Sequence, residues 1–595
     1  MNKTRFDWAG LGLVNLFLLL VCLIGCKEDS NVSPGSTASQ AEVLTGGDDL
    51  TQAIDALGRM AEGTTEEATS RTLFYLNQWL GRQELDGKPW KSDRMLENMP
   101  RALKNTPGLE KLDSTIFTQL DLGYLQQNLW LHKIASDNAR KPPSPELVEW
   151  LKEIEKTVGL PESEQLAAAE RLFDWTVRNI QLDELPPPPK GPVATVGAES
   201  TEPVLPALQG ELGPGYAHMP VQVLLHGHGD AWERGRIFIL LCRQAGVDAL
   251  MLGLVDEEVS TTPQAWLPAA MIGGELYLFD PRLALPVPGP EGQGIATLSQ
   301  VVSDPAVLEQ LNVKGGEEYP VGPKQLKNIV ALIDAEPQAF ARRMQLLQTA
   351  LPRSHRLALS VLPSQLEPQL RKSKGISTVS LWRVPFEAVM YQIGRQQVIA
   401  QDQQAALRFY REEAMFNGST PLMRGRDLHL QGRFETVDHL PGARTFYLRA
   451  RTPDREIDRA LSSKLYREMT GLEFSLPKGD KEQAEALESF EYITQRAKHH
   501  ASYWLGLTYY EDGKYDAAIE WFGKRTLEAA PPSPWIPGAR YNMARSYEAQ
   551  GELEKARDLL LADDSPQQHG NQVRARMLAE RLAKQGNEAV EQSGR

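Results

Sequence analysis

The sequence predicts a multidomain α+β protein, in which a mixed α+β domain lies between an N-terminal helical region and a C-terminal array of helix hairpins. The chain has 595 residues, which is too long for one hydrophobic core and indicates roughly three or four domains. Apolar residues recur at helical spacing near both ends, whereas the middle contains short apolar runs that are typical of strands. These two patterns favour separate helical and mixed domains.

The charge balance bears on the class of partner. The chain carries 64 Lys and Arg against 78 Asp and Glu, a net charge of −14. An acidic protein offers no basic stripe to neutralise phosphates, so we expect no nucleic-acid partner. Its three cysteines cannot form a disulfide framework. Cys242 has no evident partner and is predicted to be a buried, small apolar residue.

Residues 1–25 have the features of a signal peptide. Lys3 and Arg5 precede the apolar run Leu11–Ile24, which is too short to span a bilayer comfortably. The run ends in Leu-Ile-Gly-Cys, which resembles a bacterial lipobox and implies cleavage before Cys26 and lipidation of that residue. The alternatives are a plain secretory signal or an uncleaved anchor. Because lysine follows Cys26, the resemblance implies a lipid anchor on the periplasmic face of the outer membrane.

Two regions without recognisable chemistry follow. Residues 26–50 contain a stretch rich in Ser, Thr, Gly and Pro, which predicts a flexible tether. Residues 51–160 carry apolar residues on helical faces, including Trp79 and Trp130, and predict a helical domain. We expect these two tryptophans to belong to its core.

Residues 161–325 are predicted to form the mixed α+β domain. A helix from Pro161 carries apolar residues at helical spacing as far as Val177. Residues 186–215 are then rich in Pro and Gly, with four consecutive prolines that exclude regular helix or a central strand. We therefore expect a surface loop there.

The next segment carries the strongest motif of the domain. A helix starting near Ala231 leads into Arg243-Gln-Ala-Gly-Val and a strand, and a later strand ends in the pair Asp280-Pro281. Between them the chain reads Gln264-Ala-Trp266. This frame resembles the core of transglutaminase-like domains, of papain type, whose triad is Cys, His and Asp. The resemblance places Ala231, Gln264 and Asp280 at the three catalytic positions.

Two of these three positions lack the required chemistry. Such enzymes need a thiolate at a helix N-terminus and an imidazole that exchanges protons with it. Ala231 provides no nucleophile and Gln264 no titratable proton. The domain is therefore expected to be catalytically degenerate. Trp232 and Trp266 are predicted to line a vestigial cleft, which either holds an extended peptide or is filled by side chains.

No nearby residue clearly replaces the missing cysteine or histidine of this frame. Cys242 lies eleven residues beyond Ala231, about 16 Å further along the same helix, and cannot replace the nucleophile. His226 and His228 form an H-x-H pair, which is a weak metal signal, so no metal and no cofactor is expected. Asp230 is interpreted as the N-cap of the helix.

The following segments are less clearly patterned. Residues 326–400 predict a mixed helical connector interrupted by prolines. Residues 401–478 predict degenerate helical repeats, with one copy through Leu428–Glu435 and Ala443–Ala450. A β-hairpin through Phe434 and Phe446 is the alternative.

Residues 479–595 carry the clearest repeat. Ala501–Phe522 and a second copy with similar small and aromatic residues resemble tetratricopeptide repeats, in which small residues let two helices approach and aromatics fill the gaps. Further helices are expected at Glu482–Lys498 and Arg574–Lys584. The predicted packing residues are Trp504, Gly506, Tyr509, Gly513, Tyr515, Ala518, Tyr541, Ala544, Tyr547, Gly551 and Ala556.

Three functions compete on this basis. The preferred one is a lipid-anchored, non-catalytic envelope scaffold that binds a protein or peptide in the groove of its helical repeats. The second is an active transglutaminase-like or cysteine-peptidase-like enzyme that acts on envelope proteins or peptidoglycan peptides. The third and weakest is solute or metal binding through His226 and His228. The oligomeric state is not encoded in these patterns.

Overall fold

The protein is known from a computed structural model, which describes most of the chain beyond the predicted leader. The predicted signal peptide, Cys26 and most of the predicted tether lie outside the described residues. Within the described part, no helix is both long and apolar enough to cross a membrane. The described residues are 46–58, 65–83, 90–189, 206–256, 260–351, 356–418, 420–452, 469 and 480–593.

The N-terminal region is helical, as its periodicity predicts. Its longest helix begins after Thr118, whose backbone N–H and hydroxyl both donate to the Asp121 carboxylate, at 2.7 and 3.1 Å. Trp79 and Trp130 are buried in the core. Trp130 also donates a 2.8 Å hydrogen bond to Asp427 near the C-terminal hairpins, so this region is joined to the rest of the chain. The helices are α1 (Gly46–Gly58), α2 (Thr65–Gly81), α3 (Gln119–Asn138) and α4 (Val148–Val158).

The α+β region is built on one six-stranded sheet. Helix α5 (Leu160–Asn179) enters it, followed by α6 (Pro220–His226) and α7 (Ala231–Gln244). A short parallel pair, β1 (Gln181–Leu182) and β2 (His228–Gly229), joins the ends of α5 and α6. The main strands are β3 (Asp248–Asp256), β4 (Ser260–Ile272), β5 (Glu275–Asp280), β6 (Leu285–Pro286), β7 (Ile329–Ile333) and β8 (Ile376–Leu381).

The strand order is β6-β5-β4-β3-β7-β8. All neighbours are antiparallel except β7 and β8. Helix α7 lies close against the sheet, since a Cβ added at Gly235 would come within 2.9 Å of Met251 Cε. The sheet thus holds the start of α7 near the ends of β4 and β5.

The sheet extends beyond residue 325, where the sequence predicts the end of the domain. Strand β7 pairs with β3 along Met251–Leu254, and β8 pairs with β7. Every residue of β7 is buried, so its sequence shows no polar alternation. The predicted connector therefore supplies one central strand and one edge strand of the same sheet.

The proline-rich insertion also differs from the prediction at its C-terminal end. Its residues 190–205 lie outside the described part. From Pro206 onwards the chain packs against α11 (Val384–Gln401), and Ala207 is buried. A Cβ added at Gly394 would lie 2.6 Å from the Leu208 carbonyl oxygen, so a missing side chain permits this close approach. The end of the insertion is thus partly packed, while Glu211 and Leu212 remain exposed.

Further helices complete the chain. They are α8 (Leu298–Ser303), α9 (Arg342–Ala350), α10 (Pro363–Leu370), α12 (Gln403–Glu413), α13 (Pro421–Leu430), α14 (Ala443–Ala450), α15 (Asp480–Glu511), α16 (Tyr515–Phe522), α17 (Ile536–Ala549), α18 (Leu553–Leu561) and α19 (Gln568–Ser593). Residues 482–498, predicted as a separate flanking helix, are the first half of α15.

Three successive helix hairpins share one construction: α13–α14, α15–α16 and α17–α18. Each first helix carries a small residue. Seven residues later, just beyond the end of that helix, lies a glycine with positive φ. Those glycines are Gly432, Gly513 and Gly551, with φ of 71°, 70° and 80°. Left-handed backbone of this kind favours glycine.

The small residues let the two helices of a hairpin touch. A Cβ added at Gly506 would lie within 3.0 Å of the Phe522 ring, and one at Gly425 would lie 2.6 Å from Tyr447 Cδ1. Residues 421–450 thus form a helix hairpin with a long loop, not a β-hairpin through Phe434 and Phe446. The loop contains only an isolated bridge, between Val437 and Leu440.

Candidate functional site

Helix α7 starts with a complete N-terminal cap. Asp230 accepts hydrogen bonds from the backbone N–H of Trp232 (2.8 Å) and Glu233 (3.0 Å), and Glu233 accepts one from the Asp230 N–H. Asp230 also accepts a 2.6 Å bond from the Gly215 N–H. Asp230 is therefore the N-cap, as the sequence predicts.

Ala231, at the predicted nucleophile position, is buried beside two carboxyl groups. Burial, followed by repulsion from Glu233, raises the pKa of Asp230 to about 7. Burial likewise raises the pKa of Glu233 to about 7. Two of the N–H groups that could stabilise an anion at this helix end already bind Asp230. Such surroundings oppose a thiolate rather than activate one.

Asp280 lies at the end of β5 in a polar network of its own. Its carboxylate accepts bonds from the Tyr319 hydroxyl (2.8 Å) and from the backbone N–H of Arg282 and Leu283. Trp266 in turn donates a 2.8 Å bond to the Tyr319 oxygen. Burial raises the pKa of Asp280 in spite of these bonds. The structure therefore joins Asp280 to Trp266 through Tyr319, a residue that the sequence pattern does not indicate.

The other predicted positions have other neighbours, although Gln264 lies only two residues before Trp266 on β4. Gln264 is exposed on β4, where it pairs with Leu254 of β3. Trp232 packs against Trp382, which follows the edge strand β8, with ring centroids 6.3 Å apart. The two tryptophans of the predicted cleft thus have different neighbours, Trp382 on one side and Tyr319 on the other.

Cys242 is fully buried in α7. This placement confirms the prediction of a small apolar core residue. Burial raises the pKa of its thiol far above the ordinary value. A reactive thiolate is therefore disfavoured at this position.

The first helix of the second hairpin, α15, contacts the end of α5. Arg178 forms ion pairs with Asp174 (2.7 Å) and with Glu511 of α15 (2.8 Å), and its guanidinium lies 4.4 Å from the Tyr510 ring centre. The side chains of Arg178 and Glu511 are only 5% and 3% exposed. Despite burial, Arg178 and Lys141 hold the pKa of Glu511 well below its usual range.

The third hairpin, α17–α18, extends the same interface. Asn542 of α17 and Tyr503 of α15 both donate hydrogen bonds to the Arg178 carbonyl, at 3.0 and 3.3 Å. Arg545 of α17 pairs with Asp174 at 2.9 Å. The Gly538 N–H donates a 2.9 Å bond to the Gln181 side chain in β1.

The remaining hairpin contacts the neighbouring segment of the α+β region. Arg426 of α13 donates a 2.8 Å bond to the Leu224 carbonyl in α6, and its guanidinium lies over the Trp504 ring. The first helix of each hairpin therefore contacts this chain's own α5–β1 or α6–β2 segment. The sequence predicts a partner in this groove, but the chain itself occupies these helix faces.

The predicted packing residues mostly lie inside this repeat region. Trp504, Ala518 and Ala556 are fully buried, and Tyr541 and Ala544 nearly so. Tyr509 instead carries the Arg444 guanidinium 4.0 Å from its ring centre, and Tyr515 packs edge-on against Tyr510. The buried members of this set thus lie in the packing of the hairpins, whereas Tyr509 and Tyr515 are partly exposed.

A histidine cluster lies beside the start of α7. His226 and His228, which the sequence presents only as an H-x-H pair, are joined by His218, with one nitrogen of each ring within 4.8 Å of the others. Burial, followed by repulsion from His228 and His226, lowers the pKa of His218 well below its ordinary value, so this imidazole is neutral. For His228, burial alone would lower the pKa, but Asp183 raises it. The sequence signal was incomplete because His218 lies on the other side of α6.

Comparisons with known proteins bear on one part of the chain. Residues 482–562 match the family model described as "Anaphase-promoting complex, cyclosome, subunit 3". No curated protein and no solved structure matches the chain. The matched segment spans α15 to α18, the two hairpins closed at Gly513 and Gly551. The C-terminal region of this mixed α+β protein therefore consists of helical repeats of the tetratricopeptide type, which fit a protein-binding scaffold.

Proposed function

We propose that this chain is a non-catalytic, protein-binding scaffold of the bacterial cell envelope, held to the membrane by lipid on Cys26. The observation that carries the proposal is the helical-repeat match over residues 482–562. Repeats of this type present extended surfaces to protein partners. The matched family is described as a subunit of a complex, which agrees with a role in assembly.

The chemistry near α7 supports a non-catalytic role. Ala231 and Gln264 occupy the nucleophile and base positions of the transglutaminase-like frame, and Asp280 is engaged by Tyr319. Cys242, the cysteine nearest to that frame, is fully buried. An acyl-transfer enzyme, the alternative, would need a nucleophile that these residues do not provide.

The partner surface that we propose is the loop of the first hairpin. Because the first helices of all three hairpins contact the chain itself, a partner requires another surface. Val437 and Leu440 are 63% and 61% exposed at the tip of this loop. They border a depression of about 460 Å³ that Glu435 and Asp512 also line. Exposed apolar residues beside charged ones are typical of protein contacts.

Photo-crosslinking in intact cells tests this proposal. A photoreactive residue at position 437 or 440 is expected to give one discrete protein adduct. The matched control is position 561, because Leu561 is also exposed (54%) but lies in another hairpin. The same adducts from all three positions, or none from the loop, would contradict the proposed surface.

A thiol assay tests the absence of catalysis. In the native protein, Cys242 is expected to resist Ellman's reagent and to react only after unfolding in urea, because it is buried and its pKa is raised. Rapid labelling of native Cys242, together with amide hydrolysis or transfer that this labelling abolishes, would favour the enzyme.

The lipid anchor has its own test. Growth with radiolabelled palmitate is expected to label the wild type and not the Cys26→Ser variant. Equal labelling of both would exclude Cys26 as the lipidated residue.

A further inference from the structure

Three histidines from neighbouring segments converge beside the start of α7. His218 precedes α6, His226 ends it, and His228 lies in β2. Their ring centroids lie 5.0 to 5.9 Å apart. One nitrogen of each ring lies within 4.8 Å of the other two. In a tetrahedral zinc site ligand nitrogens stand about 3.4 Å apart, so binding would draw these nitrogens together by up to about 1.4 Å.

Each imidazole has a carboxylate beside it. His228 Nδ1 lies 2.6 Å from Asp183, and His218 Nδ1 lies 3.2 Å from Glu233. These contacts engage the Nδ1 atoms of His218 and His228 and leave Nε2 of these two rings as the candidate ligand atoms. Metal-bound histidines usually have such a partner on the second ring nitrogen, because it fixes the tautomer and the ring orientation.

The third histidine also has a carboxylate beside it, but on its Nε2 atom. The His226 side chain is 7% exposed, and its Nε2 lies 3.3 Å from a Glu413 carboxylate oxygen. Within the described part of the chain, this Nε2 makes no hydrogen bond of acceptable geometry. A metal ion bound at this buried nitrogen would supply a stronger partner than the long contact with Glu413.

One histidine of the cluster also borders a cavity. His226 and Glu413 line a cavity of about 130 Å³ between α3, α6 and α12, which Gln127 and Asn417 line as well. That volume holds several waters. An ion bound at the cluster would therefore have one coordination position that faces this cavity and that no protein ligand occupies.

From these observations we propose that His218, His226 and His228 bind one divalent transition-metal ion, with Zn²⁺ as the first candidate. The fourth coordination position of the ion faces the cavity beside Glu413. Imidazole ligands suit zinc and its neighbours in the first transition row, whereas Ca²⁺ and Mg²⁺ prefer oxygen. Three protein ligands and an open position are typical of zinc sites that bind a further ligand or water. The site is independent of the scaffold proposal and does not use the degenerate triad.

Metal analysis of the full chain tests the proposal. After dialysis against Zn²⁺, the wild type is expected to retain one zinc per chain, and binding should raise its melting temperature. Co²⁺ in place of Zn²⁺ is expected to give the visible absorption bands of a nitrogen-ligated, tetrahedral ion. Excess Mg²⁺ should not displace either ion.

Variants locate the ion. The double variant His218→Gln/His228→Gln is expected to weaken Zn²⁺ binding at least 100-fold and to lose the zinc-dependent rise in melting temperature. Asp183→Asn removes only a positioning carboxylate and should weaken binding by about 10 to 100-fold. His439→Gln is the matched control, because His439 is exposed in the hairpin loop.

The outcomes separate clearly. A wild type that binds less than a fifth of an equivalent, or a double variant that binds as the wild type does, overturns the proposal. If the double variant fails to fold, the Co²⁺ spectrum of the wild type decides, and a spectrum without the tetrahedral bands overturns it as well.

Discussion

The hairpin interface and the histidine cluster handle buried polar groups in opposite ways. At the interface, Arg178 lies between Asp174 and Glu511, so the cost of burying the cation is offset by partners within the chain. At the cluster, three imidazoles converge with carboxylates beside them, and the contact between His226 Nε2 and Glu413 is a long one of 3.3 Å. The comparison teaches that one site is complete in itself, whereas the other is arranged to accept a ligand.

The largest expected effect comes from breaking the interface. Arg178→Met should destabilise the protein by about 3–5 kcal/mol, because it leaves buried carboxylates with fewer cationic partners. Urea unfolding followed by circular dichroism measures the change. Lys133→Met, which removes an exposed i,i+4 pair with Asp137, is the control and should change stability by less than about 0.5 kcal/mol.

A second variant sharpens this prediction. If the cost of Arg178→Met arises from unpaired carboxylates, Arg178→Met/Glu511→Met should recover part of the lost stability. A single variant within 1 kcal/mol of the wild type would mean that the interface contributes little.

A smaller effect is expected inside the hairpins. Gly425→Ala and Gly506→Ala place a methyl group against Tyr447 and Phe522, and each should cost about 1–3 kcal/mol despite the better helix propensity of alanine. Thermal unfolding measures both. Gly123→Ala in α3, where an added Cβ meets nothing within 4 Å, should be neutral or stabilising. A neutral Gly425→Ala would show that the first hairpin packs more loosely than the second.

The smallest effect concerns pH. Burial, followed by repulsion from Asp174, raises the pKa of Glu170 to about 7, from an ordinary value of 4.5. The folded state therefore binds more protons than the unfolded state between these values, and the stability that Glu170 contributes falls as pH rises through that window. Glu511, with its lowered pKa, acts in the opposite sense, since its contribution is lost as pH falls below the unfolded value.

Glu170→Gln should remove the first dependence. The stability of the variant relative to the wild type is expected to rise by more than about 1 kcal/mol from pH 5 to pH 8, measured by urea unfolding. Glu149→Gln is the control for the pH dependence, because the Glu149 side chain is 83% exposed. A relative stability that stays flat with pH would mean that Glu170 is ionised without cost.

Local signals made parts of the structure predictable. Asp230 is an N-cap, and Gly513 and Gly551 close hairpins, because such residues act on backbone a few positions away. Strand β7 was missed because a fully buried strand has no alternation to distinguish it from a helical segment. His218 and the Arg178–Glu511 pair were missed because tertiary folding, rather than local pattern, brings them to their partners.

The Arg178–Glu511 contact also has a consequence for biosynthesis. Glu511 is synthesised 333 residues after Arg178. The Arg178 guanidinium at the end of α5 therefore cannot pair with Glu511 until that further length of chain has been made. Contacts between such distant residues close late, and chains with incomplete cores expose apolar surface in the meantime. Helices that are made later than α5 thus complete the core around it, and a nascent chain released before α15 would retain an exposed, unfinished core.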